Sequence, residues 1–248
     1  MKERISWLLV FSVVLITIAV SFGVKSIYTQ QNVSPRRNVQ IKEDFSKYPI
    51  ADYDAQKSAS PEILNQRERK NRRYDHQHIV SSKPRPETEG ATVYDDDSLP
   101  SEAIPTRNSD LVVTGRVVSA EAFLSNDKRS VYSEYMVEIE EILKSDDSSL
   151  ISGSTITMDR FGGFVRYPNG QKVLYRVAGL DLPTVGDHYV LFLKTDGNSP
   201  NYKIITGYEL NEDSVIPLDS AVDFSHITEK KEKGFKSLIR DKISENKN

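Results

Sequence analysis

The chain has 248 residues and a formal net charge of −3, which is enough length for one or two ordinary domains. It contains no cysteine, and this excludes disulfide bonds, thiolate metal sites, a cysteine nucleophile and a cysteine lipid anchor. Charged residues make up 28% of the sequence, but neither sign dominates the chain as a whole.

The N-terminal segment predicts a membrane anchor. After Lys2 and Arg4, an uncharged apolar run extends from Ile5 to Val24. A helix of about 20 residues spans the hydrocarbon core of a bilayer, whereas a cleaved signal peptide has a shorter apolar region of about 7–15 residues. An uncleaved anchor over residues 1–24 therefore fits better than the alternative, a signal peptide. Either way, the rest of the protein is expected on the extracytoplasmic side of the cell membrane, with a single pass if the anchor is retained.

Residues 25–105 predict a disordered polar tether. They are rich in Gln, Asn, Ser, Pro and charged residues, with equal numbers of basic and acidic side chains and only scattered apolar ones. Such a segment cannot bury enough apolar surface by itself to offset its ordering entropy. A short helix is expected after Ser60, where Pro61 would take the first helical position.

Two motifs in this tether carry possible chemistry. The basic run RERKNRR at 67–73 is either a site for anionic lipid, an anionic wall polymer or nucleic acid, or a solvated linker, and the second interpretation is the simpler. His76 and His78 form a His-x-His pair, but no third ligand lies at a diagnostic spacing, so no metal site is predicted.

Strand-like patterns follow over residues 106–219. Gly115 inside a β-branched run predicts a bent or bulged strand, and the nearly continuous apolar run at 185–194 predicts a strand buried on both sides. Short strands joined by turns, without helical crossovers, predict an antiparallel barrel or sandwich. The strand runs are DLVVTGRVVSA, VYSEYMVEIEEILKS, SGSTITMDRF, VGDHYVLFLK, NYKIITGYEL and SVIPLD.

Residues 220–248 predict a C-terminal amphipathic helix. Its apolar side chains share one helical face, namely Phe235, Leu238, Ile239 and Ile243. Packing of this face on the β-domain is preferred over docking to a membrane or to a partner.

The chain resembles the netrin-like barrel of the tissue inhibitors of metalloproteinases, an oligonucleotide/oligosaccharide-binding (OB-type) fold. The resemblance covers roughly residues 107–219 and lies in the order of DLVVTGRVVSA, YMVEIEEILKS, STITM, HYVLFL and YKIITGYELNEDSVIPLD. The chain is also similar to uncharacterised, membrane-anchored bacterial proteins with a tail like FKSLIRDKI. The resemblance implies a mainly β fold, a small antiparallel OB-like (netrin-like) β-barrel, and a binding role. Those inhibitors chelate zinc through an N-terminal cysteine, which this chain lacks.

Candidate catalytic groups in 106–219 are few. Glu138, Glu140 and Glu141 could form a carboxylate pair, but a solvent-exposed strand face accounts for them. His188 lies inside a predicted strand, without a nucleophile elbow, a phosphate-binding loop or a zinc motif. The sequence therefore predicts no enzyme, no catalytic residue, no cofactor and no metal. Nucleic-acid binding is disfavoured, because 11 basic residues face 17 acidic ones in this range.

The stretch RFGGFVRYPNGQKVLYRVAG, residues 160–179, predicts a hairpin with a two-residue Asn169-Gly170 turn. This turn would pair Tyr167 with Lys172, and both hairpin faces would mix apolar and basic side chains. The Gly162-Gly163 pair allows either a sharp bend or a close approach by a partner. Exposed arginine and aromatic side chains are typical of binding hot spots. The predicted partner-binding residues are Arg160, Phe164, Arg166, Tyr167, Lys172, Tyr175 and Arg176.

These features predict a membrane-anchored, non-catalytic binding or scaffolding module of the cell envelope. Its partners would be the membrane, through Ile5 to Val24, and an unidentified envelope protein or polymer. The fold resemblance alone gives one alternative, an inhibitor of an extracytoplasmic peptidase. A hydrolase is a further alternative, and it would require a pocket with convergent polar groups near His188.

Overall fold

The structure, a computed structural model, describes residues 48–54, 60–77, 80, 90–93, 100–197, 201–211, 213–220, 227 and 231–246. The predicted membrane span from Ile5 to Val24 lies outside these residues, and within them no helix is long and apolar enough to cross a membrane. The described part is mainly β, with largely antiparallel sheets and a helix near the C-terminus, as predicted. Its elements are β1 (Ile50–Asp52), α1 (Pro61–Asn71) with a 3₁₀ turn (Arg72–Tyr74), β2 (Gly90–Val93), β3 (Leu111–Leu124), β4 (Val131–Ser145), β5 (Thr155–Phe161), β6 (Gly163–Arg166), β7 (Lys172–Val177), β8 (His188–Thr195), β9 (Tyr202–Leu210), β10 (Val215–Pro217) and α2 (Glu232–Glu245).

The larger sheet has the strand order β10-β9-β5-β4-β3-β8. Its neighbouring strands run antiparallel except β5 and β9, which run parallel. Strand β9 also pairs with β8, so the pairing leads from β3 through β4, β5, β9 and β8 back to β3. Buried apolar side chains from these five strands share one core cluster.

Local patterns in β3 and β4 match the prediction. Tyr135, Val137 and Ile139 of β4 are buried, as predicted, and Glu134, Glu138 and Glu140 lie on the other face. The register of β3 against β4 shifts at three places, one of them at Gly115. A Cβ atom at Gly115 would lie 2.5 Å from the Glu138 carbonyl oxygen, so the close approach of the two strands requires glycine there. The extra residue at this shift is Glu140 of β4, whereas β3 itself is bulged at Val118, within the run predicted to be bent or bulged.

Strand β8 is buried on both sides, as predicted. Its residues 189–193 are buried, and alternate side chains enter two different core clusters. Helix α2 covers the cluster that contains Val190 and Phe192. The side chains of Phe235, Ile239 and Ile243 are buried there, and the Phe235 ring centroid lies 4.6 Å from that of Tyr208. Packing of the amphipathic helix on the β-domain is therefore confirmed.

Ion pairs also hold α2 to β4. The Lys236 Nζ atom lies 3.2 Å from a Glu141 carboxylate oxygen, and Arg240 donates to the same carboxylate. Burial alone would raise the pKa of Glu141, but the hydrogen bonds and charges of these two cations lower it. At pH values above 4.5, the ordinary pKa of glutamate, ionised Glu141 therefore stabilises the folded state. This stabilisation is lost as the pH falls through the lower pKa that Glu141 has in the folded protein.

The Glu141→Gln variant is expected to lower the free energy of unfolding at neutral pH by about 0.5–1 kcal/mol, a small effect because solvent screens the partly exposed carboxylate. The difference from wild type should shrink as the pH falls below 4.5 and through the lowered pKa of Glu141 in the folded protein, because the carboxylate is then protonated. Urea unfolding followed by circular dichroism measures both values. Glu138→Gln, an exposed glutamate on the same strand, is the control. A pH-independent difference would contradict the role of the ion pair.

Parts of the predicted tether are ordered on the β-domain. Strand β1 pairs in parallel with β6, and β2 pairs in parallel with β7, which gives a second sheet of order β1-β6-β7-β2. Helix α1 begins as predicted, with Ser60 as N-cap and Pro61 following it. The prediction of a disordered tether over 25–105 is wrong for these segments. The prediction rested on the apolar surface that residues 25–105 can bury by themselves. In the structure, β1 and β2 instead form backbone hydrogen bonds with the edges of β6 and β7.

Candidate functional site

Strands β6 and β7 form the predicted hairpin, but its turn is one residue longer than predicted. The Tyr167 N–H donates to the Gln171 carbonyl at 2.9 Å, which leaves Pro168–Gly170 as a three-residue loop. Lys172 therefore pairs with Arg166 and not with Tyr167. The physical reason is the proline, which has no N–H to donate to Gln171 as a two-residue turn would require.

The shifted register separates the two faces of the hairpin. One face is apolar and packs against β3 and β4 in a buried cluster; its side chains are Val165, Tyr167, Val173 and Tyr175. On the other face Phe164 and Leu174 are buried, whereas Arg166, Lys172 and Arg176 are at least partly exposed. The predicted mixture of apolar and basic side chains on both faces is wrong for the first face.

Four of the seven residues predicted to bind a partner are buried in the protein. Their exposed fractions are at most 4%, and they are Arg160, Phe164, Tyr167 and Tyr175. Arg160 belongs to β5, where its guanidinium donates to the Asp219 carboxylate at 2.7 Å and to the Asp181 carbonyl at 2.7 Å. A partner of the folded protein cannot reach these four side chains. The hairpin hypothesis therefore depends on the other three, Arg166, Lys172 and Arg176.

The hairpin pairs with two strands that precede it in the chain, β1 and β2. Strands β1 and β2 occupy its two edges by parallel strand addition. Arg166 pairs with Asp52 of β1, with 3.0 Å between Nη2 and Oδ2, and both side chains are about half exposed. Arg176 lies 3.5 Å from the carboxylate of Asp181. Much of the hydrogen-bonding and charged surface of the hairpin is thus used within the chain.

His188 lies against a carboxylate of β4. Its Nε2 atom lies 2.5 Å from Oε2 of Glu140, so this glutamate faces an imidazole and not only solvent. An open depression of about 330 Å³ lies beside it, lined by Arg116, Gly186, Asp187, His188, Leu210, Asn211 and Glu232. His76 is exposed, and His78 lies outside the described residues. No group of His, Asp and Glu side chains in the described ranges is arranged to hold a metal ion.

A different surface has the features of a recognition site. On one side of the sheet formed by β3, β4 and β5, the register places side chains in rows across the three strands. We call this surface the outer face. Its rows are an aromatic row (Phe123, Tyr132, Phe161), an acidic row (Glu121, Glu134, Asp159), and then Ser119, Met136, Thr157 followed by Arg116, Glu138, Thr155.

Two cations of α1 lie against the acidic row. Arg67 forms an ion pair with Glu134. The Lys70 Nζ atom lies 2.7 Å from Glu134 Oε1 and 3.1 Å from Asp159 Oδ2. Asp159 is only 1% exposed, and a buried carboxylate without a cation costs several kcal/mol. The helix therefore supplies the charges that the covered part of this row requires.

Ring contacts complete the interface. The Tyr74 ring stacks on Tyr132 with 4.0 Å between centroids and 7° between planes. The guanidinium carbon of Arg67 lies 3.5 Å from the Phe123 ring centroid, a cation–π contact. The Tyr132 hydroxyl donates to Asn71 Oδ1 at 2.6 Å. These contacts come from one side of α1 and its 3₁₀ turn, because their residues recur at helical spacing: Arg67, Lys70, Asn71 and Tyr74.

The pKa values of two interface groups favour the protonation states that the contacts need. Burial and the charge of Asp159 hold the pKa of Tyr74 well above its ordinary value, so its hydroxyl stays protonated and donates to Asp159 at 2.8 Å. Burial alone would lower the pKa of Arg67, but hydrogen bonds to Glu134 and Tyr132 raise it. The interface therefore keeps its donors across the physiological pH range.

The basic run at 67–73 is not simply a solvated linker. Arg67, Lys70 and Arg73 face the β-domain, where Arg73 pairs with Asp196, whereas Arg69 and Arg72 are exposed. The sequence carried a signal for this docking in the complementary charges of the two parts. Residues 106–219 are acidic, and the inward basic residues of the run are three positions apart.

Neither protein-family models nor curated proteins match this chain. The outer face extends beyond the two rows that α1 contacts. Its two remaining rows are open: Met136 is 46% exposed, and Val118, which is bulged out of register beside this row, is 44% exposed. Glu121 and Glu138 are exposed in the adjoining rows. We call this region the open strip: Met136 and Val118 are its apolar side chains, and exposed Glu121, Glu138 and Arg116 surround them.

Proposed function

We propose that this protein is a non-catalytic binding or scaffolding module of the cell envelope. A single membrane pass through Ile5 to Val24 would anchor it, with the β-domain on the extracytoplasmic side. One observation carries the proposal: the outer face recognises a basic helix through ion pairs, a cation–π contact and ring stacking. Such contacts select the chemistry of a partner, and arginine and tyrosine dominate binding hot spots.

We further infer that β3, β4, β5, β8 and β9 form an OB-type, netrin-like barrel. The circuit of pairings among these five strands supports this inference. OB-type barrels bind their ligands on the face of the second and third strands, and here these strands are β4 and β5. By this fold analogy, α1 lies where a ligand would bind.

The proposed partner is an envelope protein that contacts the open strip beside α1. Met136 and Val118 offer apolar area that a partner can bury, and the neighbouring glutamates supply a polar rim. A nucleic acid is a poor candidate, because these glutamates repel phosphates.

Photo-crosslinking in intact membranes tests this proposal. Full-length protein with benzoylphenylalanine in place of Met136 is expected to form a specific adduct with one partner, because this side chain lies in the open strip. Ile151 is the matched control, since it is 66% exposed but lies in the loop between β4 and β5, outside the outer face. The probe at Ile151 should give no such adduct.

The same probe at Lys172 tests the hairpin hypothesis. An adduct at Lys172 and none at Met136 would locate the partner on the hairpin and contradict the assignment to the outer face. Equal labelling at all three positions would indicate non-specific crosslinking and would remove the support for a binding surface here.

A further inference from the structure

The interface between α1 and the outer face contains few apolar contacts. Within α1 the buried residues are Lys70 and Asn71, whereas Ile63 is 56% exposed. A helix of 11 residues is marginal on its own in water, and this one has no apolar stripe that would hold it against the sheet. Its position is therefore determined by charges and rings.

The net free energy with which α1 binds the outer face is expected to be small. The attraction between buried ions is largely offset by the cost of removing them from water, so a buried ion pair contributes little net stability. Glu134 and Asp159 lose the cation that lies against them if α1 leaves, and an incoming cation can take its place. Another cationic segment could therefore replace α1 contact for contact.

The β-domain carries the complementary pattern whether or not α1 is bound. The register of β4 and β5 places Tyr132, Glu134 and Asp159 on one surface. Glu121 adds a third carboxylate to the acidic row and is exposed, and the ion pairs formed by α1 do not include it. The row thus retains negative charge that attracts a basic segment.

We propose that the aromatic and acidic rows form a recognition site for a basic helical segment of another protein, and that α1 is the resident occupant of this site. The inference rests on the proposed binding function and names the chemistry of the partner. The segment carries arginine, lysine and tyrosine at relative positions i, i+3 and i+7, the spacing of Arg67, Lys70 and Tyr74. Its binding competes with that of α1.

A peptide-binding experiment on the full-length protein in a non-ionic detergent tests this inference. The probe is a fluorescein-labelled peptide with the sequence of residues 60–77. Arg67→Glu/Lys70→Glu places glutamates against Glu134 and Asp159 and is expected to release α1 from the site. Arg69→Glu/Arg72→Glu makes the same change of charge on the exposed side of the same helix. The first variant is expected to bind the peptide at least about tenfold more tightly than wild type or the second variant, because the apparent affinity follows the fraction of free sites.

Two further variants establish specificity. A peptide with glutamate at the positions of Arg67 and Lys70 should not bind. Adding Glu134→Gln and Asp159→Asn to the first protein variant should abolish its gain in affinity. Equal affinities of the two charge-reversal variants for the peptide would overturn the inference.

Hydrogen exchange on the wild-type protein gives a test that needs no variant of the protein. Excess peptide should speed the exchange of the amides in residues 61–71, and the charge-reversed peptide should not. Unchanged exchange at saturating peptide would overturn the inference. If the peptide tests failed but a specific adduct at Met136 formed in membranes, the proposed binding function would stand and its site would be the open strip alone. If the peptide tests failed and no specific adduct formed at Met136, the proposed binding function would fail as well.

Discussion

Alanine in place of Arg160 is expected to lower the free energy of unfolding by about 3–5 kcal/mol, the usual cost of breaking a buried ion pair from one side. The guanidinium is buried and donates to the Asp219 carboxylate at 2.7 Å and to the Asp181 carbonyl at 2.7 Å. Asp219 is 1% exposed, so the substitution leaves a buried carboxylate without its cation. Urea unfolding followed by far-UV circular dichroism measures the loss.

Two variants control this experiment. Arg166→Ala removes a nearby arginine whose pair with Asp52 is about half exposed, and it should leave the unfolding midpoint almost unchanged. Arg160→Met/Asp219→Leu should recover part of the loss, because apolar side chains of similar volume can replace a buried ion pair. Recovery is incomplete because the Asp181 N–H loses its acceptor on Asp219 and the Asp181 carbonyl loses its donor on Arg160. Equal losses for Arg160→Ala and Arg166→Ala would contradict the structural role assigned to Arg160.

The elements with strong local patterns could be predicted from the sequence. The alternation of β4, the apolar run of β8 and the helical stripe of α2 each identify an element and its buried face. None of these patterns identifies what covers the buried face. The order of the strands depends on pairings between distant segments, and only the structure gives it.

The docking of the N-terminal segment could not be predicted from such patterns. Helix α1 is held by Arg67, Lys70 and Tyr74. A pattern of apolar residues predicts which apolar side chains are buried, and it leaves arginine and lysine exposed to solvent. Strands β1 and β2 take their hydrogen bonds from β6 and β7, far along the chain. Strand addition of this kind leaves no period in the sequence of β1 or β2.

The candidate site also depends on a register that the sequence does not reveal. Glu121 falls in one row with Glu134 because β3 carries an extra residue at Val118, which turns the following residues to the outer face. At Gly115 the extra residue is Glu140 of β4, so this glycine did not indicate the bulge of β3 at Val118. Without the bulge at Val118, Glu121 and Phe123 would point into the core and the outer face would lose both.

Substitution of Gly162 by alanine is expected to destabilise the protein by about 2–4 kcal/mol, from an unfavourable φ together with overpacking. Gly162 lies at the corner between β5 and β6 with φ of +108°, a conformation that residues with a side chain rarely adopt. A Cβ atom there would lie 2.7 Å from the Tyr175 carbonyl oxygen, and this backbone is held in the β6–β7 ladder. Urea unfolding again gives the measured loss.

Gly170→Ala separates the two causes. Gly170 has φ of +85°, but a Cβ atom there would have no neighbour within 4 Å. Its substitution therefore carries the backbone cost alone, about 1–2 kcal/mol. A larger loss at Gly162 would mean that the glycine serves a close approach within the protein, at the corner where the chain passes from one sheet to the other. Equal losses would mean that φ alone requires glycine at both positions, and the crowding against Tyr175 would then be relieved at little cost.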